Sequence, residues 1–574
     1  MVNQQLSKIF SEIALYLEMD SVPFKPQAYE KAALVLQALD EDVSDVYKKD
    51  GLAGLEAIEG VGVGLAEKIE EYLKTGNIKY YEQLKKKMPV NLEELTAVEG
   101  LGPKMVKILY QKLKIKNLAD LEKAAKAGKI RGLAHFGLKS EQNILQGIEF
   151  LKRSKGRFVL GKIYPVVEEI YKKLEGLKEV EKISLAGSLR RMKETIGDVD
   201  FLVVSKKPGK IMDFFVGLPG VVKVWDKGLT KSSVRMEDGF DMDVRVVPTK
   251  SYGAALQYFT GSKEHNIVLR KIAIDKGLKL NEYGLFKGAK MIAGKTEEDI
   301  YRGLGLALMP PEIRENQGEI EAAQKNGLPK LIGYNDIRGD LHCHSNWDGG
   351  ANGLEEMAKA GQDMGYDYLG IADHTKFLRI ENGLDEKQLA EQRKEVDRIN
   401  SKFKIQNSKF KILQGCEANI MPEGSIDINN EALANLDYVI AGVHSQMKMS
   451  KAQMTERIIK AMKNPNVDII SHPTGRLLGK RDEYQIDFDK ILRAAKEFNV
   501  ALEINGSPWR MDLKDSNVRR AKEAGIKTVV NTDSHQKDQL TFMKYGIAQA
   551  RRGWVKKNDI INTQPLDKLL KFFR

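Results

Sequence analysis

Gly187-Ser188-Leu189-Arg190-Arg191-Met192-Lys193-Glu194-Thr195-Ile196-Gly197-Asp198-Val199-Asp200 is the stretch on which the reading of this chain turns. It follows a strand-like run, Lys182-Ile183-Ser184-Leu185-Ala186, and leads into another, Asp200-Phe201-Leu202-Val203-Val204. Residues i and i+2 of a strand face the same way, so Asp198 and Asp200 project together. A second pair, Asp241-Met242-Asp243, opens a further strand-like run to Val247, and a neighbouring strand can bring Asp243 beside the first two. Three converging carboxylates repel unless divalent metal neutralises them, and two Mg²⁺ (or Mn²⁺) ions would also align a phosphoryl transfer. Gly187-Ser188 just after a strand suits backbone and hydroxyl donation to a triphosphate, with Arg190 and Arg191 supplying charge nearby.

N-terminal to this unit, Met1 to about Phe150 has apolar residues at helical spacing broken by short glycine turns. Ile58-Glu59-Gly60-Val61-Gly62-Val63-Gly64 precedes one amphipathic helix and Val98-Glu99-Gly100-Leu101-Gly102-Pro103-Lys104 another; Phe136-Gly137-Leu138-Lys139 is a weaker copy. Gly-x-Gly between short helices permits a sharp turn and aims helix N-terminal amides at an anion, so Gly60, Gly62, Gly64, Gly100, Gly102 and Lys104 are expected at the DNA backbone. Such contacts hold phosphates and carry no sequence information. The charge distribution agrees. The 574 residues carry a net +12, and residues 101–160 alone hold 14 basic against 4 acidic side chains.

The composition, 42% hydrophobic and 30% charged, excludes a disordered chain, and two cysteines exclude a disulfide scaffold. With no apolar run of about 18 residues and no signal-peptide pattern at the start, a cytoplasmic, nucleoid-associated protein without a membrane partner is expected.

Tyr258-Phe259-Thr260-Gly261-Ser262, then Asn266 and Arg270, taken with Gly187-Ser188-x9-Asp198-x-Asp200, closely resembles the family X DNA polymerases over about residues 1–310. The resemblance implies that Asp198, Asp200 and Asp243 bind two metals, with Asp243 assisting deprotonation of the primer 3′-hydroxyl. It places Gly187, Ser188, Arg191 and Gly197 at the triphosphate. Tyr258 and Phe259 fall against the nucleotide sugar, Gly261 is a further nucleotide-binding position, and Asn266 falls at the base edge and Arg270 on the template side. Lys68 falls where lyase-active members carry their nucleophile. Its neighbours Glu67, Glu70 and Glu71 are acidic, however, and such neighbours stabilise the inert ammonium. A phosphate contact or helix salt bridge is the expected role.

After Arg338, short apolar strands alternate with amphipathic helices, the pattern of repeated βα units and a barrel-like parallel fold. Six of the eight histidines lie here, each at a strand end: His342, His344, His374, His444, His472 and His535. Glu417 ends another strand and Asp533 precedes His535. Mixed imidazole and carboxylate donors suit Zn²⁺, Mn²⁺ or Fe²⁺ better than Mg²⁺. The pattern resembles the PHP (polymerase and histidinol phosphatase) phosphoesterases over 338–574. This resemblance implies a distorted (β/α)7 barrel holding three ions on His342, His344, His374, Glu417, His444, His472, Asp533 and His535. The family's aspartate five residues after the second histidine is replaced by Gly349, and Asp348 is expected to substitute through a shifted loop. Cys343 and Cys416 are read as small buried residues.

The expected fold is therefore multidomain. A lyase-like helical domain with a helix–hairpin–helix spans 1–85, and a fingers-like subdomain 86–150. An α+β nucleotidyltransferase palm occupies 151–248, a thumb 249–312, a linker 313–337, and the PHP domain 338–574. The expected protein is a monomer that extends gapped or primer-template DNA with dNTP in base excision repair. Its PHP site would trim 3′ ends or cleave abasic sites. The competing readings are a nucleotidyltransferase on a non-DNA acceptor and a polymerase with a purely structural PHP scaffold.

Overall fold

The computed structural model describes residues 2–573 except 21, 40, 59, 97, 99, 100, 155, 156, 379, 380, 407 and 480. Up to Ser154 the regular elements among the described residues are all helices. In Val2–Met19, Leu6, Phe10, Ile13 and Leu17 recur at helical spacing and bury against Ala33 and Leu36 of Lys25–Ala38. A second small core gathers Leu95, Val106, Leu109, Leu121 and Ile144. The helices Val63–Thr75 and Pro103–Leu113 start at Gly62 and Gly102, as the glycine turns predicted.

The palm is a five-stranded sheet of β1 (Lys182–Leu185), β2 (Asp198–Val204), β3 (Val221–Lys227), β4 (Lys231–Met236) and β5 (Asp241–Val247), in the order β1-β2-β5-β4-β3. The central pair, β2 and β5, is parallel, and the others are antiparallel. Val199, Phe201 and Val203 face a core with Ile211, Phe215 and Val244, leaving the alternate positions of β2 for the acids.

The helices Tyr252–Thr260 and Lys263–Asp275, a three-stranded antiparallel sheet (Lys279–Asn281, Gly284–Lys287, Lys290–Ala293) and the helix Glu297–Gly303 follow. The stretch 313–337, expected to be a linker, packs against its neighbours. Arg314 is buried and its guanidinium donates to the Met309 carbonyl at 2.9 Å; Glu319 is buried and accepts from His265 at 2.7 Å. Its polar composition reflects paired buried charge rather than solvation.

The C-terminal unit is a parallel barrel. Strands Gly339–Cys343, Tyr368–Ile371 and Lys411–Gln414 pair in order, as do Glu417–Asn419, Ile440–Gly442, Ile469–Ile470, Ala501–Asn505 and Thr528–Asn531. Gly415-Cys416 merely interrupts one stave, so there are seven. Backbone hydrogen bonds from Gly415 N to the Ile371 carbonyl and from Glu417 N to the Asp373 carbonyl carry the ladder across it, and glycine is required at 415 because a Cβ would lie 2.5 Å from the Tyr438 ring, which fills the barrel beside Tyr368 and Leu413. A parallel bridge from Cys343 to Ser534 closes the ring. Both cysteines are fully buried. The barrel docks onto the palm: Met511, Tyr545 and Ala548 belong to the palm core, and Tyr164 meets Tyr545 edge-on at 5.9 Å.

Candidate active sites

The first site forms where β2 and β5 lie side by side. Their register sets Asp198 opposite Asp241 and Asp200 opposite Asp243. Alternation then puts Asp198, Asp200 and Asp243 on one face. Asp241 is on that face too but is already neutralised, by Arg235 at 2.8 and 2.7 Å and the Trp225 indole N–H at 3.0 Å. Asp243 pairs with Lys231 Nζ at 2.7 Å. Among the described residues Asp200 has no such partner. Burial, then the charges of Asp198 and Asp243, push its carboxyl up to about 7, and burial and Asp243 raise that of Asp198. Carboxylates that resist ionising together fit divalent cations.

Gly187 stands against this face with φ of 62°, and a Cβ there would come within 2.8 Å of Asp200 Oδ2. Both the backbone conformation and the close approach require glycine. Ser188 follows at the start of the short helix Gly187–Arg190, half-buried, and Gly197 immediately precedes Asp198. Arg190 turns away and bonds Thr260 Oγ1 at 2.6 Å and Glu297 at 2.6 and 2.9 Å. The Arg191 guanidinium bonds Glu315 at 3.0 Å and also the Thr260 carbonyl.

Tyr258 and Phe259 are half-buried and perpendicular, 5.1 Å apart, and the Arg245 guanidinium lies 4.4 Å above Phe259. Asn266 donates to the Tyr258 carbonyl at 2.7 Å and accepts from Gln257 at 2.6 Å, which fixes the turn at Gly261 (φ 69°). Arg270 is half-buried on the next helix. Gly62, Gly64, Gly102 and Lys104 are exposed at their helix starts, and Gly60 turns with φ of 88°. Gly100 lies outside the described residues. Among the described residues Lys68 makes no helix salt bridge, one of its two expected roles. Its Nζ donates to the Gly64 carbonyl at 2.9 Å and sits over the Tyr80 ring.

The second site fills the C-terminal mouth of the barrel. Glu417 is fully buried at its centre, 3.3 Å from His342 Nε2, 3.0 Å from His374 Nδ1, 3.2 Å from His444 Nε2 and 2.9 Å from His472 Nε2. Asp533 lies 3.4 Å from His344 Nε2 and 3.7 Å from His342 Nε2; His535 stacks on His344 at 4.0 Å. Three donor groups have their atoms within 4.8 Å of one another: His344–His374–His535, His342–His344–Asp533 and His374–Glu417–His444. The inward nitrogens of His342, His344, His374, His444 and His472, and Glu417 Oε2, are buried with no hydrogen-bond partner. Orphaned buried donors converging on one space fit metal ions. His472 and Asp533 hold left-handed backbone (φ 27° and 57°), a cost that non-glycine residues bear at functional sites.

Asp348 takes a different place from the one expected. Its carboxylate accepts from His344 Nδ1 at 2.7 Å, His374 N at 2.8 Å and Gly350 N at 3.0 Å. It stands behind the histidine and fixes its tautomer; with those oxygens occupied, it does not face the cluster as a ligand. Although His344, Asp348 and Asp373 also approach within 4.8 Å, Asp373 is likewise engaged, with Ser345 and Gln392.

Three orienting residues escape a reading of motifs. Glu503 accepts from His342 Nδ1 at 2.7 Å and His472 N at 2.7 Å; Asn419 meets His444 Nδ1 at 2.7 Å; Arg510 pairs with Asp533 at 3.2 Å. The acid within the apolar strand Ala501–Asn505 was the available signal for Glu503. Glu503, Glu417 and Asp533 hold the His342 imidazole well above its usual range despite its desolvation.

Residues 1–78 match the helix-hairpin-helix domain family, 255–315 the DNA polymerase beta thumb and 340–507 the PHP domain. A Bacillus subtilis protein, DNA polymerase/3'-5' exonuclease PolX, is 36% identical across the whole of both chains. This chain belongs to the family X DNA polymerases that carry a PHP domain. A probable phosphatase of Caldicellulosiruptor bescii is 32% identical over 35% of this chain and 81% of its own length. Another from Thermoanaerobacter is 34% identical over 26% of the chain and 64% of its own. Among the described residues no helix is long and apolar enough to cross a membrane.

Proposed function

We propose that this family X polymerase fills short gaps in DNA at the palm and removes nucleotides or 3′-blocking groups at the barrel mouth. The observation that carries the polymerase reading is the β2–β5 register, which aligns Asp200 with Asp243 beside Asp198. Asp198, Asp200 and Asp243 are the residues that would hold two Mg²⁺ (or Mn²⁺) ions, which when bound supply charge neutralisation and alignment for phosphoryl transfer. Ser188, Gly197 and Arg191 receive the triphosphate of a dNTP, Tyr258 and Phe259 its sugar, Asn266 its base edge. Asp243 accepts the proton of the primer 3′-hydroxyl. The exposed hairpin amides at Gly62, Gly64 and Gly102, with Lys104, grip the backbone of gapped or primer-template DNA.

At the barrel mouth, His342, His344, His374, Glu417, His444, His472, Asp533 and His535 would hold up to three ions of Zn²⁺, Mn²⁺ or Fe²⁺, which activate water for attack on a phosphoester. Behind them Glu503, Asp348 and Asn419 hold the imidazole tautomers. The chain acts as a monomer. Full-length similarity to a DNA polymerase supports DNA over another acceptor, and the orphaned donors support a loaded barrel over a scaffold.

Separation of function tests the reading. On a 5′-labelled primer in a gapped duplex, Asp200→Ala abolishes extension and spares 3′ degradation, and His344→Ala does the reverse. Loss of both activities in either variant refutes two independent sites.

A further inference from the structure

The loop between the Ser188 turn and Asp198 belongs to the palm, yet two buried arginines of the barrel clasp it. Arg552 ends the barrel helix Met543–Arg552 and its side chain is 2% exposed. It donates to the Arg191 carbonyl at 2.9 Å, the Glu312 carbonyl at 3.2 Å, Glu315 Oε1 at 3.1 Å and Asp515 Oδ2 at 2.5 Å. Glu315 Oε1 in turn accepts from Arg191 Nε at 3.0 Å, with Lys193 at 3.7 Å. Arg552, Arg191 and Lys193 hold the Glu315 carboxyl below its usual range against the cost of burial. Three residues on, Arg476 of the barrel reaches Glu194 at 2.7 Å while it also bonds the Met511 carbonyl. One barrel arginine thus fixes the backbone of Arg191 and, through Glu315, helps direct its guanidinium together with the Thr260 carbonyl; the other pins the loop beyond it.

We propose that Arg552, with Glu315 as intermediary, is a positioning residue for nucleotide addition, so that the nuclease domain preorganises the triphosphate site of the polymerase. The inference rests on Arg191 binding triphosphate, as above. A guanidinium held by a buried carboxylate presents its remaining N–H groups in one direction, whereas a released one must be ordered when the nucleotide binds. The linkage acts on nucleotide affinity, not on the chemistry at Asp200 or on the barrel mouth.

The test compares Arg552→Met, Glu315→Gln, Arg191→Ala and the double variant Arg191→Ala/Glu315→Gln in the full chain. Each is assayed for dNTP KM and kcat in primer extension, for degradation of a single-stranded oligonucleotide, and for thermal unfolding. Glu315→Gln keeps the shape of the side chain and guards against misfolding of Arg552→Met. Arg552→Met and Glu315→Gln are expected to raise the dNTP KM about 10–100-fold, the scale of a lost charged hydrogen bond, with degradation at the wild-type rate. In the Arg191→Ala background Glu315→Gln should add nothing. An unchanged KM, a parallel fall in kcat, degradation and unfolding temperature, or full additivity in the double variant overturns the linkage. An unchanged KM in Arg191→Ala alone instead refutes the triphosphate role of Arg191 on which the proposal stands.

Discussion

Replacing Asp200 with asparagine separates what the carboxylate does for catalysis from what it costs the fold. Burial and the neighbouring Asp198 and Asp243 carry the Asp200 carboxyl from 3.8 to about 7. At about 1.4 kcal/mol per pK unit, ionising it in the folded, metal-free chain costs up to about 4 kcal/mol. Because the carboxylate lies at a water-accessible face, about half of that is the working figure. The sign follows from linkage. A carboxyl raised in the folded state binds its proton more tightly there than when unfolded. Its favourable contribution is therefore present below about pH 4 and lost as pH rises through about 7.

Asp200→Asn removes that loss. In chelator-treated protein at pH 8 the variant should be more stable than the wild type by about 2 kcal/mol. For a unit of 150–250 residues this is about 4–8 °C in the transition that reports the palm. The advantage should shrink steadily toward pH 4. Saturating Mg²⁺ should raise the wild-type transition at pH 8 and not the variant's, while primer extension is abolished. Melting curves followed by tryptophan fluorescence at several pH values read this once Trp347, Trp509 and Trp554 of the barrel are replaced by phenylalanine in both proteins, since the remaining Trp225 bonds Asp241 on the adjoining strand pair. A variant less stable than wild type at pH 8 without metal would falsify the account of three mutually repelling carboxylates.

Three other changes probe separate parts of the molecule. Glu503→Gln removes the charge that orients His342 and should weaken metal retention in the barrel about 10–100-fold, measured as ion release to a chromogenic chelator, with primer extension intact. Gly187→Ala sets a Cβ against Asp200 Oδ2 and forces a left-handed alanine, so extension should fall by at least an order of magnitude while degradation persists. Lys68→Ala should leave borohydride trapping on a 5′-deoxyribose phosphate end at the wild-type level, because Lys68 Nζ is engaged with the Gly64 carbonyl; a trapped adduct lost on substitution would show it to be a nucleophile.

The elements that carry the chemistry were legible along the chain because they are local. Two-residue alternation put Asp198 and Asp200 on one face, glycine turns marked both hairpin helices, and strand-end histidines announced the barrel mouth, with one stave per βα repeat. None of these needs knowledge of a distant partner. Where partners are distant, local pattern is silent. The sequence is silent on how Asp241 and Asp243 are paired, and only the fold of β4 brings Arg235 to Asp241 through two hydrogen bonds and Lys231 to Asp243, which still faces Asp198 and Asp200. Asp348 looked like a substitute ligand by position, but the loop that carries it turns its oxygens to His344 Nδ1 and the His374 amide. Glu503 reaches a histidine 161 residues earlier in the chain, a separation that leaves no periodicity to detect.

The polar run 313–337 illustrates the same division in stability rather than catalysis. Its sequence reads as a linker, whereas Arg314, Glu315 and Glu319 are neutralised by residues from the palm, thumb and barrel. Sequence alone determined which donor types exist, on which elements, and hence that two phosphoryl-transfer sites are encoded. Tertiary structure alone decided which acids converge where cations would sit, which stand behind to orient them, and that a barrel arginine reaches the polymerase loop. Burial makes an unpaired charge costly, so the final pairing is settled only when distant segments meet in a space that excludes water.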